Sequence, residues 1–321
     1  MRFSRYLIRR ILQLLPVILV VIVLNFVLLH LAPGDAALRL AGEDPNPAVL
    51  EAIRERYGLD LPLHQQLWIY LGRVARGDLG ESLMARRSVI GIIGDRAGAT
   101  ILLAVTSLFL GSTLGTFLGT LLSARAGSRI DISSSVTAVV GYSIPVFWLG
   151  IMLILFFSIR LQWFPVSGMF TILGPRTGIP RLLDVGHHLI LPVLTLMVAS
   201  TAQYLRLART SVLQVLNEDF IMTLKAVGFS RRAVLVKYAL RNAALPIVSM
   251  LGLQLGIVLT GAVLTETVFS WPGLGRLVYE GIMNRDTPVI MGAFIIMSIA
   301  VALASLLTDL VYAALDPRVK Y

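Results

Sequence analysis

Apolar residues in this chain come in long unbroken runs, separated by short polar and basic stretches, rather than alternating with polar ones at the spacing of a half-buried strand. A helix needs about 20 mostly apolar residues to cross the hydrocarbon of a bilayer, where every backbone amide must find its partner internally. Six runs reach that length, at about Ile11–Leu31, Ile101–Leu122, Val136–Ile159, Leu189–Leu207, Ile247–Phe269 and Pro288–Tyr312. The pattern therefore predicts an all-α integral membrane protein with six spans. Pro16, Pro145 and Pro192 fall within or at the edge of these runs, where neighbouring groups can satisfy the freed carbonyls. The first run follows Arg2, Arg5, Arg9 and Arg10 in the manner of a signal peptide. It is longer than a secretory apolar core and no small-x-small cleavage pattern closes it before Pro33, so it reads as an uncleaved span.

Three regions follow from this layout: 1–32 with the first span, a polar segment 33–98, and a core 99–321 holding the other five spans. Within the polar segment, Pro47–Tyr57 and Pro62–Ala75 are helix-forming pieces punctuated by Gly58 and Gly77. Val49, Leu50 and Ile53, then Leu67, Leu71 and Val74, recur at helical spacing and predict amphipathic helices lying on one membrane face. Such helices either dock a soluble ligand-delivery protein or pack on the bundle as a lid.

Composition narrows the chemistry. Hydrophobic residues make up 56% and charged residues 14%, and mean hydropathy is +0.81, which excludes a water-soluble globule. Cysteine is absent, so neither a disulfide framework nor a thiolate metal site is available. The formal charge of +10 would suit nucleic acid, but with the N-terminus inside, the inner termini and loops hold the entire excess. Among its carriers are Arg125, Arg129, Arg206, Arg209, Lys225, Arg231, Arg232, Lys237 and Arg241. Ordinary positive-inside topology explains that bias without a nucleic-acid partner.

Catalytic constellations are missing. Gly141-Tyr142-Ser143-Ile144-Pro145 lacks the second glycine of a serine-nucleophile turn, and adjacent His187 and His188 do not share a helix face as metal ligands would. No lysine follows a glycine-rich loop, so the chain has no nucleotide motor of its own. Intramembrane charges that would serve a proton relay are also lacking. His30, Glu266 and Asp309 lie near span ends, Glu266 being suited either to an outer gate or to a snorkelling or capped surface carboxylate. Gly111, Gly115 and Gly119 share one helix face, as do Gly252, Gly256 and Thr260. Both stripes permit close helix packing, within the bundle or between two subunits.

The long inner loop between the fourth and fifth spans, about 208–245, reads as two helices joined at Gly228. Asp219 is placed to cap the first, Gly228 to take a left-handed C-terminal position, and Ser230 to cap the second. A short amphipathic helix projecting from a membrane bundle suits a groove on a soluble partner, or the inner membrane surface.

Segment Asp219–Pro246 resembles the cytoplasmic loop of ABC importer permeases, and more narrowly that of their peptide and nickel branch. Supporting blocks run through the chain in family order: Ala32-Pro33-Gly34-Asp35, Tyr57-Gly58-Leu59-Asp60, Gly77-Asp78-Leu79-Gly80-Glu81-Ser82, His188 to Pro192, Glu266-Thr-Val-Phe-Ser-Trp-Pro-Gly-Leu-Gly275, and Leu315 to Tyr321. Met222, Thr223 and Leu224 depart from the general Glu-Ala-Ala of the loop, while Ala226, Gly228 and Pro246 keep its pattern. The resemblance implies the type I importer permease fold with both termini cytoplasmic. It implies a lipid-embedded channel for peptides, or in the same assembly for nickel or a glutathione-like compound; the alternative from a different class is an ATP-independent secondary transporter. The implied partners are a second homologous permease, two ATPase subunits that use ATP and Mg, and an extracytoplasmic binding protein, with no cofactor held by this chain. Thr223, Leu224, Lys225, Ala226, Gly228 and Phe229 are the implied coupling contact. Asp219 and Pro246 set its geometry, and Gln254, Thr260 and Glu266 are candidates to line the pathway.

Overall fold

A computed structural model of the chain describes residues 2–31, 46–57, 61–175, 177–259 and 263–315. Its helices are α1 (Arg2–Leu31), α2 (Pro47–Tyr57), α3 (Leu63–Ala75), α4 (Val89–Ser123), α5 (Arg129–Ser143), α6 (Val146–Arg160) and α7 (Gly178–Leu216). They continue as α8 (Asp219–Ala226), α9 (Ala233–Asn242), α10 (Ala244–Leu259), α11 (Val263–Val268), α12 (Leu274–Met283) and α13 (Thr287–Leu315). The last part of α6, Ile154–Arg160, and the first part of α9, Ala233–Ala239, are wound as π-helix. Among the described residues there is no strand, only a single bridge between Glu81 and Ser88.

Among the described residues, four helices are long and apolar enough to cross a membrane alone, and up to six spans result if each of two bent pairs counts as one. The third expected span, Val136–Ile159, is such a pair: α5 and α6 meet at 96°. Ile144, between them, is extended (φ −71°, ψ 126°) because the ring of Pro145 disfavours helical geometry in the residue before it. The proline thus breaks the run that hydropathy reads as continuous. The second bent pair is α9 and α10, which meet at 54° just before the fifth expected span. The second and fourth spans, by contrast, are longer than expected. Helix α4 begins at Val89 because Val89 and Ile93 sit in the core beside Leu277, Val289 and Met297, even though Asp95 and Arg96 interrupt the apolar run. Helix α7 begins at Gly178, so His187 and His188 lie within it rather than at its start.

The centre of the bundle is the pair α4 and α7, and the glycine stripe of α4 explains how closely they approach. A Cβ added at Gly115 would stand 2.7 Å from Tyr204 Cβ, and one at Gly111 would stand 2.8 Å from Ser200 Cβ. Glycine is needed here for space, and the stripe packs within this chain. The second stripe does the same, with Gly252 facing Thr308 and Gly256 facing Val301 of α13; Thr260 lies outside the described residues. Ion pairs tie helices distant in sequence. Arg10 of α1 meets Asp309 of α13 at 3.1 Å, and Arg209 of α7 meets the buried Asp131 of α5 through two hydrogen bonds of 2.5 and 2.7 Å.

The polar segment forms the expected helices. Phe26 of α1 packs on Tyr70 of α3 with ring centroids 5.9 Å apart, while Trp68 on the same helix is 73% exposed. The loop after α3 is clasped to the turn before α13: Ser82 donates to Asp286 at 2.5 Å, and the amides of Leu83 and Met84 point at the same carboxylate.

Candidate functional site

Helix α7 ends at Leu216, and two residues later the chain turns into α8, which stands off the end of the bundle as an elbow. Its N-cap position is Glu218, one residue before the Asp219 that the sequence suggests, and no side chain caps the helix. Asp219 is instead the first helical residue, where its negative charge still opposes the helix dipole. Lys225 sits in the last turn, matching the opposite pole. At the exit Gly228 has φ +91°, a left-handed value that glycine adopts without strain. Its amide reaches Lys225 O, and Phe229 N reaches Leu224 O, both at 3.1 Å, which closes the helix. Ser230 Oγ accepts from Ala233 N at 3.3 Å and so starts α9.

Only one face of the elbow is bound to the body of the protein. Ile221 is fully buried and Leu224 half-buried, in a cluster with Val212, Val215, Val234, Leu235 and Ala239 from α7 and α9. Phe229 stacks edge-on against Tyr238 at 5.4 Å. The six candidate contact residues therefore divide. Leu224 anchors, while Thr223, Lys225, Ala226, Gly228 and Phe229 are exposed. Beside them the structure exposes Met222 (66%) and Val227 (72%), with Phe220 on the rim. Spacing alone did not single out these apolar side chains, although two apolar residues on the outward side of an eight-residue helix and a third at its C-cap carry that signal. Pro246, in the first turn of α10, is exposed just past the 54° bend between α9 and α10.

The candidate pathway residues are not grouped. Gln254 on α10 is half-buried and donates to Gln203 Oε1 of α7, a partner that nothing in the local sequence marks. Glu266 is neither a surface carboxylate nor open to a water path within the chain, since its exposure is 0%. Thr100 Oγ donates to its Oε1 at 2.8 Å and Arg276 N to its Oε2 at 2.9 Å. The carboxyl group needs no solvent because protein donors replace it. Among the described residues, no three His, Cys, Asp or Glu side chains gather as metal ligands.

Comparison with known proteins identifies the kind of membrane protein to which this bundle belongs. Residues 111–321 match the family described as "Binding-protein-dependent transport system inner membrane component", and residues 3–104 match the N-terminal component of the same system. The chain belongs to this permease family. Among curated relatives, the glutathione transport system permease protein GsiC of Escherichia coli O6:H1 is 39% identical over 316 residues, covering 98% of this permease and 99% of the relative. The proteins of the same name from Shigella dysenteriae and Salmonella choleraesuis are each 38% identical over the same coverage. Of solved structures, an inward-facing form of the MetNI methionine ABC transporter matches with a TM-score of 0.57 at 18% identity, over 71% of this permease and 97% of that chain. A second crystal form of that transporter gives 0.58.

This permease is thus a multi-pass inner-membrane subunit of an ABC importer, with the type I permease fold. Proteins of such systems work with a binding protein and with ATPase subunits, and the family is one of transport permease subunits.

Proposed function

We propose that this permease, paired with a second homologous permease, forms the path by which small peptides enter the cell, driven by two ATPase subunits and fed by an extracytoplasmic binding protein. The observation that carries the reading is the elbow. It holds to the bundle through Ile221 and Leu224 and turns Met222, Thr223, Lys225 and Val227 outward, the one-sided arrangement of a helix that seats in another protein's groove. Residues 223–229 are the coupling contact, and Gly228 sets the angle at which the chain leaves it. The elbow and both termini face the cytoplasm, in keeping with the basic residues of 206–241. ATP and Mg are bound by the ATPase subunits, and this chain holds no cofactor.

For the cargo, the relatives' names favour the peptide side of the branch, since glutathione is itself a tripeptide. Gln254 lines the pathway in this reading, which is supported by its polar, half-buried pairing with Gln203. The test is uptake into vesicles holding the complete importer and its binding protein. Labelled dipeptide, longer peptide, glutathione and nickel ion are offered with ATP inside. Peptide accumulation that stops with a non-hydrolysable nucleotide is expected. Accumulation of nickel alone would overturn the cargo, and uphill uptake by the purified permease without ATPase subunits would overturn the whole reading.

A further inference from the structure

The first amides of any helix lack partners within it, and a side chain at the N-cap commonly supplies one. At the start of α12 the N-cap residue is Gly273, which has no side chain to offer. The partners arrive from elsewhere. Leu274 N donates to Thr100 Oγ at 2.7 Å, Arg276 N donates to Glu266 Oε2 at 2.9 Å, and the Gly275 amide also points at the Glu266 carboxyl. Thr100 in turn donates to Glu266 Oε1. A carboxyl seven residues upstream, on a different helix, and a hydroxyl from α4 thus do together what a capping serine or aspartate does alone.

The glycines beside it are explained by the same arrangement. Gly273 has φ −101° and ψ −178°, extended backbone that any residue adopts, so conformation does not call for glycine. Space does: a Cβ at Gly273 would collide with the carboxyl group of Glu266, and one at Gly275 would come within 3.0 Å of Glu266 Oε2. Trp271, fully buried, closes the far side and donates its Nε1 to Ala99 O at 2.8 Å. Gly168, in the loop after α6, donates to Phe269 O at 2.8 Å. Helix α12 then presents Leu274, Leu277 and Val278 to Val89 and Ile93 of α4 and to Val289, Ala293 and Met297 of α13.

We infer that Glu266 is a remote cap for α12 and a positioning residue for transport, locking α4, α11, α12 and α13 into one block at the end of α10 opposite the elbow. The inference does not depend on the cargo, and neither does its test. The complete importer in nanodiscs is assayed for its thermal midpoint and for ATP hydrolysis stimulated by the binding protein. Gly273→Ala and Glu266→Ala are made singly and together. Each single change is expected to cut stimulated hydrolysis by about tenfold, and Gly273→Ala to add less than about twofold once Glu266 is alanine, because its obstacle is gone. Glu266→Gln, whose amide can still accept from Arg276 N and donate to Thr100, should stay within about threefold of the parent. If Glu266→Ala does not assemble, Glu266→Asp takes its place, since the shorter side chain withdraws from Gly273 and should likewise soften Gly273→Ala. Equal damage from Gly273→Ala in both backgrounds overturns the inference. So does normal stimulation in Glu266→Ala, or a Glu266→Gln variant as impaired as the alanine one.

Discussion

Replacing Gly228 by valine tests the elbow where its geometry is most exacting. A Cβ at this position meets nothing within 4 Å, so valine fits the available space and no core contact is lost. The penalty lies in the backbone: at φ +91° an L residue pays about 1–2 kcal/mol, and a β-branched one about 2–3 kcal/mol. The chain can relieve that strain by giving up the two exposed hydrogen bonds that close α8, Gly228 N to Lys225 O and Phe229 N to Leu224 O, at about 1 kcal/mol each. The relief is comparable with the strain, so the elbow re-aims while the bundle stays folded. The equilibrium between the two angles shifts by about thirtyfold to a hundredfold, which leaves about half of the molecules or fewer at the original angle. Complete importers carrying Gly228→Asn, Gly228→Ala or Gly228→Val are placed in vesicles, and uptake and ATP hydrolysis are read from the same sample. Asparagine, which tolerates the left-handed region, should lie near the parent, alanine between, and valine should show about half the parental uptake per ATP hydrolysed, or less. A valine variant with the parental ratio of uptake to hydrolysis would refute the reasoning. So would an asparagine variant as poor as valine.

Shaving the outward face of the elbow should separate docking from folding. Phe220→Ala with Met222→Ala removes exposed apolar area, so the permease should melt within a degree or two of the parent, while its retention of ATPase subunits on a size-exclusion column weakens by about tenfold or more. At the α4–α7 contact, Gly115→Val would drive a side chain into Thr201 O and Tyr204 Cβ, costing about 3 kcal/mol or more and visible as loss of monodisperse protein after heating in detergent. Asp131→Asn removes the charge that two Arg209 nitrogens and Gly127 N share; with Arg209 28% exposed the loss should be about 2–3 kcal/mol, and Arg209→Met in the same chain should recover part of it. Failure of that second change to recover any stability would show that the pair is not the source of the cost.

Hydropathy was enough to find the four unbroken spans α1, α4, α7 and α13 because the bilayer imposes a minimum apolar length that few soluble helices meet, and the elbow was readable because Gly228 and Ser230 are local signals acting on their own neighbours. What could not be read are the places where the deciding partner lies far along the chain. Glu266 near the end of an apolar run resembles a surface group until Thr100, 166 residues upstream, is brought against it. Asp131 and Arg209 were counted merely as inner charges, since nothing local joins residues 78 positions apart. The 96° break at Ile144 was hidden for a different reason: apolar character continues through Pro145, so a window average cannot see a change of direction. The early starts of α4 and α7 were missed because Asp95, Arg96 and Asp184 lower the local hydropathy without stopping a helix whose other side is buried.

Helices α4 and α7 lie so close along Gly111, Gly115 and Gly119 that backbone rests almost on backbone, and such a seam has little room to slide or twist. Helix α7 runs unbroken for 39 residues and stops only two positions short of the elbow. A push delivered there meets a braced strut rather than a string of soft joints, and at about 1.5 Å per residue it is carried nearly 60 Å, farther than the bilayer is thick. Stiffness in the middle of this protein is what lets a small displacement at one membrane face be felt at the other.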